Sequence, residues 1–127
     1  MKKIFPDHKG IYIILNAIKN KCYIGESDNI HRRLKSHKLN LEKGTHTHEE
    51  MQKDFNNGDP FYYLIVDLLP CELDRVYMMA AETYYMIKYD SVEHGYNKGY
   101  PIPPTDNRYL KLLESKELYR FLQKPNP

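Results

Sequence analysis

The sequence predicts a mixed α/β domain of the α+β kind, and three observations carry that expectation. Two short β-rich runs near the start face each other across a turn. A third run, apolar and rich in aromatic and β-branched residues, lies in the middle of the chain. The stretches between and after these runs repeat apolar residues at helical spacing. With 127 residues, 41% of them hydrophobic and 28% charged, the chain is one ordinary globular domain with room for a real core. Tyrosine is unusually frequent, with twelve copies and no Trp.

Met1 to Lys9 is a polar lead-in. Gly10-Ile11-Tyr12-Ile13-Ile14-Leu15 is the first β run and Cys22-Tyr23-Ile24-Gly25 the second, with a turn around Asn20-Lys21. With Ile18 to Lys21 as an even loop, Asn16 lies opposite Tyr23, and Tyr12 and Tyr23 share one face of the hairpin. Ser27-Asp28 offers a helix N-cap. The following helix buries Ile30, Leu34 and Leu41, and places Arg33 and His37 together on the shoulder of that buried face. Arg32, Lys35 and Lys38 add positive charge, and no acid interrupts Asn29 to Leu41. Lys43-Gly44-Thr45 breaks the helix.

His46-Thr47-His48 opens a short second helix with Met51 and Phe55 facing inward. Two histidines at this spacing, with no cysteine beside them, do not make a zinc site; phosphate or solvent is the expected neighbour of His46. Asn57-Gly58-Asp59-Pro60 is a turn. Phe61 to Leu69 is nearly all apolar and reads as a buried central or third strand, ended by Pro70. From Asp74 to Lys88 the sequence reads as a buried helix, apolar all round. Between Arg75 and Lys88 its one charged residue is Glu82. A buried carboxylate needs a partner, a proton or a metal, so Glu82 stands out on physical grounds. Ser91 to Tyr100 is a loop. Pro101-Ile102-Pro103-Pro104 is a stiff linker, and Arg108 to Gln123 reads as a tail helix with a basic side.

The net charge of +2 conceals an asymmetry. Residues 1 to 43 hold ten Lys/Arg against four Asp/Glu, a balance of +6, and the remainder hold nine against thirteen, a balance of −4. A basic N-terminal part suits a polyanion. Cys22 and Cys71 have no CxxC spacing. No signal sequence or membrane-length apolar run is evident, so a cytoplasmic location is expected.

The ordered set Gly10-Ile11-Tyr12, Tyr23-Ile24-Gly25, Arg33 with His37, the His46-Thr47-His48 segment, Glu82 and Gly95-Tyr96-Asn97 resembles the GIY-YIG nuclease family. The resemblance runs from Gly10 to Lys98. It implies a small three-stranded, mainly antiparallel sheet flanked by helices, in a nuclease domain spanning residues 1–100. Residues 101–127 then form a linker and a short helical extension.

The same resemblance implies a metal-dependent endonuclease, homing-like and of phage or mobile-element type, acting on double-stranded DNA. Its catalytic residues are Tyr12, Tyr23, Arg33, His37, Glu82 and Asn97. Glu82 holds one Mg²⁺ or Mn²⁺, Arg33 stabilises the pentavalent phosphate, and Tyr12 is the base or positions the water, helped by His37 or Tyr23. Asn97 supports the site. Arg32, Lys35, Lys38 and His46 are expected to contact DNA, and Gly10 and Gly25 are the motif glycines. A tyrosine base needs cationic neighbours, because a free phenol titrates at about 10. A restriction or structure-specific repair nuclease would use the same residues. A non-cleaving nucleic-acid-binding module is the alternative outside enzymes, although it has no need for a buried glutamate. The short extension points to modest sequence specificity, a homodimer, or recognition of DNA structure.

Overall fold

A computed structural model describes residues 5–115 together with Leu118. The elements in chain order are β1 (Gly10–Asn16), β2 (Lys21–Ser27), α1 (Ile30–Lys43), α2 (Glu49–Asn56), β3 (Phe61–Leu68), α3 (Arg75–Lys88) and α4 (Asn107–Leu113). The strands form one antiparallel sheet in the order β2-β1-β3, with β1 in the centre.

Alternation along the strands divides the core into two layers. On one face Tyr12 and Ile14 pack with Ile30, Leu34 and Leu41 of α1, Met51 of α2 and Tyr96. On the other, Ile11, Ile13, Cys22 and Ile24 pack with Met78, Ala80, Ala81, Tyr85 and Met86 of α3. Ala80 and Ala81 are fully buried, and their small side chains let α3 approach the sheet closely. Ile102 and Tyr109 join this second layer, and Thr83 Oγ1 donates to the Ile102 carbonyl at 2.8 Å. The segment after residue 100 therefore packs on α3. Of the tail helix expected over Arg108 to Gln123, α4 ends at Leu113 with Glu114 as its C-cap, and the part beyond Ser115, Leu118 apart, lies outside the described residues.

Four expectations need correction. The hairpin loop runs from Ala17 to Asn20, so Asn16 pairs with Lys21 rather than Tyr23, and Tyr23 pairs with Ile14. Both loops are even, so the two-residue slip preserves the faces, and Tyr12 and Tyr23 still project from the same side. The N-cap of α1 is Asn29, whose Oδ1 accepts the Arg32 N–H at 3.0 Å. β3 is an edge strand whose Tyr62, Leu64, Ile65 and Leu68 are exposed, because α3 packs over β2 and β1 and leaves that end of the sheet uncovered. α3 itself is not buried all round: Val76 and Ile87 face solvent. At the end of α1, Gly44 adopts φ +75°, a left-handed cap that favours glycine.

Candidate active site

The site gathers around the outer edge of β2. Tyr12 and Tyr23 rise from one face of the hairpin, their rings 6.4 Å apart. Gly25 sits opposite Tyr12 across the strands, and a Cβ there would collide with the Tyr12 ring. The second motif glycine is thus the space into which the first tyrosine packs. Gly10 has a matching reason: a Cβ there would strike the Asp67 carbonyl and the tip of Ile30, the first residue of α1.

Arg33 and His37 come from the shoulder of α1. His37 Nε2 lies 2.8 Å from the Tyr12 hydroxyl, and its Nδ1 lies 2.8 Å from Nε2 of His46. The backbone N–H of His48 donates to Nδ1 of His46 at 3.0 Å. A backbone N–H only donates, so this contact fixes the direction of the whole chain. A neutral His46 then carries its proton on Nε2 and donates to His37 Nδ1. A neutral His37 carries its proton on Nε2 and donates to the Tyr12 oxygen. Burial, the charge of His46 and then that of Arg33 push the His37 pKa down to about 4, so it is neutral near pH 7. His46 is lowered too, chiefly by burial.

Tyr12 is fully buried, and its pKa is raised by that burial first and by Tyr23 second. A hydrogen bond from Arg33 and its positive charge oppose the rise. Tyr23 is raised by burial and then by the charge of Glu82. Tyr23, half-buried, lines an open groove of about 440 Å³ with Glu82, His48, Asn97 and Lys98, while Tyr12 stands behind it.

Glu82 arrives from the opposite layer, on α3, and reaches the same groove past the edge of β2. Its pKa is pushed up to about 7 by burial first and by the neighbouring Glu26 carboxylate second. A backbone hydrogen bond from Glu26 and the charges of Arg75 and Arg33 act against this. Asn97 closes the edge that makes this meeting possible. Its Oδ1 accepts the Ile24 N–H at 2.8 Å and its Nδ2 donates to the Ile24 carbonyl at 3.0 Å, while the Tyr96 N–H donates to the Cys22 carbonyl at 2.9 Å. The 96–97 segment thereby takes the place of a fourth strand.

The expected DNA-contact residues separate. Arg32, Lys35 and Lys38 are exposed on α1, but Arg32 and Lys35 point away from the buried stripe and Lys38 lies on the opposite shoulder from Arg33 and His37. Both ring nitrogens of His46 are engaged inside the cluster. His48 caps α2 through Nδ1, which accepts the Met51 N–H at 3.2 Å, and its Nε2 donates to the Tyr96 carbonyl at 2.5 Å. Both histidines are thereby committed to hydrogen bonds. Sequence reasoning missed Glu26, Lys98 and a buried network in which Tyr96 donates to Asp54 at 2.7 Å, while Asn16 donates to the Tyr96 hydroxyl at 3.0 Å and to Asp59 at 2.8 Å. The signal available for Glu26 was its place directly after Gly25; for the network it was polar residues at positions the strand and helix periods mark as inward.

The donor set fits a hard divalent cation. Glu82 is a part-buried carboxylate beside a like charge, an arrangement that a cation relieves. Among the described residues no group of three His, Cys, Asp or Glu side chains is arranged to hold a metal ion, so water and phosphate oxygens would complete any coordination there. Among the same residues no helix is long and apolar enough to cross a membrane.

Comparison with known proteins identifies the domain that carries this site. Residues 8–97 match the model of the GIY-YIG catalytic domain. Over 89 residues the chain is 35% identical to intron-associated endonuclease 1 of Enterobacteria phage T4, an alignment covering 69% of this chain and 36% of that relative's length. A structure of the catalytic domain of the homing endonuclease I-TevI superposes with TM-score 0.63 at 31% identity, covering 70% of this chain and 96% of the other. A mutant form of the same domain gives TM-score 0.63 at 30% identity, with coverage of 72% and 93%. On these findings the chain belongs to the GIY-YIG endonuclease family, with its catalytic domain in residues 8–97.

Proposed function

We propose that the chain is a DNA endonuclease that hydrolyses phosphodiester bonds with one Mg²⁺ or Mn²⁺, as a homing-like nuclease of a phage or mobile element. The observation that carries this reading is the convergence of Glu82 from one side of the sheet on Tyr23, Tyr12, Arg33 and His37 from the other.

Glu82, with water and phosphate oxygens, is the residue that would hold the cation. When bound, the cation neutralises phosphate charge and supports the leaving oxygen. The remaining work falls to the chain. Arg33 presents a planar fork to the phosphate and stabilises the charge that grows in the pentavalent state. Tyr12 is a neutral phenol in the resting protein. His37 directs a hydrogen at its oxygen and the Arg33 charge lies close by, which leaves its own proton to face Tyr23 and the groove. Once positive charge has gathered around the pair, one phenol gives up its proton to solvent in the groove, and the phenolate left behind positions the attacking water and takes its proton. His46 acts by holding the His37 tautomer rather than by touching DNA. Asn97 is a positioning residue that keeps Ile24 and Tyr23 in place. Lys98 supplies a phosphate contact at the groove wall, and Arg32, Lys35 and Lys38 supply weaker, sequence-independent attraction. Residues 1–100 form the nuclease domain and residues 101–127 its extension.

The test is nicking of supercoiled plasmid at low salt in Mg²⁺, Mn²⁺ or EDTA. Wild type is expected to cut with either ion and not in EDTA, and Glu82→Ala is expected to bind DNA without cutting. Equal cutting by Glu82→Ala, or undiminished cutting in EDTA, would refute the assignment.

A further inference from the structure

Gln52 lies on α2 directly after Met51, a core residue in the same layer as Tyr12. Its side chain is buried, and a buried amide needs a matching group for each of its polar atoms. Oε1 accepts the backbone N–H of His46 at 3.0 Å. Nε2 donates to the Leu41 carbonyl at 3.0 Å and to Asn56 Oδ1 at 2.9 Å. A backbone N–H only donates and a carbonyl only accepts, so these contacts fix which end of the amide is which. The first bond holds the backbone of His46. The second holds the last turn of α1, one helical turn beyond His37. One amide thus grips both sides of the 2.8 Å contact between His37 Nδ1 and His46 Nε2. Around His46 the chain is open: Gly44, Thr45 and Thr47 are exposed, so apolar packing does little to hold this turn. Its other ties are local, from the Thr45 N–H to the Asn40 carbonyl at 2.9 Å and from the His48 N–H to the His46 ring at 3.0 Å.

We propose that Gln52 is a positioning residue for cleavage, which sets His46 where its Nε2–H reaches His37 and so keeps His37 in the tautomer that donates to Tyr12; this rests on the reading of Tyr12 as a phenol that serves the attacking water. Gln52 touches neither DNA nor the reacting atoms. Without its amide, His46 keeps the N–H of His48 but loses its placement against His37. The His37 proton is then free to occupy Nδ1, and Nε2 accepts from Tyr12. That turns the Tyr12 proton toward His37 and away from the groove.

The experiment compares wild type, Gln52→Met, His46→Ala and the double variant in single-turnover cleavage of plasmid DNA in saturating Mg²⁺. DNA affinity is measured alongside, with circular dichroism as the check on folding. Met keeps the length of the side chain and removes its polar atoms. Gln52→Met is expected to cut slower by about tenfold or more, because misplacing a group remote from the chemistry still spoils its geometry. DNA affinity should be unchanged, and adding Gln52→Met to His46→Ala should cost nothing further. Nitrogen NMR of the imidazole rings reads the tautomers without cleavage: His37 protonated on Nε2 in wild type, and a mixture in Gln52→Met. Gln52→Glu serves as a second variant. Its ionised carboxylate still accepts from His46 but has no hydrogen for Leu41, whereas the protonated acid has one, so its rate relative to wild type should rise as pH falls. A wild-type rate in folded Gln52→Met, or in Gln52→Glu at every pH, would overturn the proposal. So would an unchanged His37 tautomer, or an equal loss from Gln52→Met with and without His46, which would leave Gln52 a part of the fold alone. Wild-type cleavage by His46→Ala would overturn the reading beneath it as well. If Gln52→Met does not fold, the pH profile of Gln52→Glu decides.

Discussion

Replacing Glu82 by Gln should abolish the pH dependence of stability at this position. In the folded chain the Glu82 carboxyl is raised from 4.5 to about 7, first by burial and then by Glu26. Between those two values the folded protein holds a proton that the unfolded chain releases. The stability linked to Glu82 is therefore complete below pH 4.5 and is lost as pH rises through 7. At about 1.4 kcal/mol per pKa unit, that separation corresponds to a loss of about 3 kcal/mol. Glutamine does not titrate, so Glu82→Gln should gain about 3 kcal/mol on wild type between about pH 4.5 and about pH 8. His37 works in the other direction. Its pKa is lowered from 6.5 to about 4, so its contribution is complete above 6.5 and is lost as pH falls through 4. In wild type the two slopes oppose one another across the same window; in Glu82→Gln the His37 slope is uncovered, and stability should climb with pH. Urea denaturation of both proteins at closely spaced pH values in EDTA measures this directly. A wild-type-to-variant difference that stays constant with pH would refute the burial argument for Glu82.

Three further outcomes follow from the packing and the charges. Gly25→Ala should cost about 1–3 kcal/mol in urea denaturation, because its methyl group meets the Tyr12 ring; an unchanged midpoint would show that the ring has room to move. Asn97→Ala should cost about 1–3 kcal/mol by stripping both partners from the Ile24 backbone, and hydrogen exchange at the Ile24 amide should accelerate; retained protection there would contradict the edge-closing role. Arg33→Ala should lower single-turnover cleavage by about 10²-fold or more, roughly 3 kcal/mol of transition-state stabilisation, with folding intact; a near-wild-type rate would remove Arg33 from the phosphate.

What the sequence revealed and what it hid divide along physical lines. Tyr12 and Tyr23 were placed on one face despite a wrong register, because an even slip cannot change strand parity. Arg33 and His37 were paired by helical geometry alone, and Glu82 was marked by being a lone charge on an apolar helix. These are local periodicities. The missing parts depend on which elements meet. Glu26 points to the far face of β2, and its importance arises only because the N-terminal half of α3 packs there. His46 becomes part of the tyrosine's hydrogen-bond chain through a turn that brings the His48 N–H onto its ring. β3 reads as a buried strand by composition, yet its place at the sheet edge, set by topology, leaves Tyr62 and Leu64 in solvent. Tyr96 stood in the sequence only as the middle of Gly95-Tyr96-Asn97. Its hydroxyl instead links α2 to the hairpin through Asp54 and Asn16.

The most direct test of the central claim, that the buried Tyr12 hydroxyl serves cleavage, is the single-turnover rate of Tyr12→Phe on plasmid DNA in saturating Mg²⁺. The substitution deletes one oxygen and keeps the ring that fills the space over Gly25. The account predicts unchanged DNA affinity and a cleavage rate lower by about 10²-fold or more. Cleavage at the wild-type rate would show that the hydrogen-bond chain ending at Tyr12 only holds the fold together.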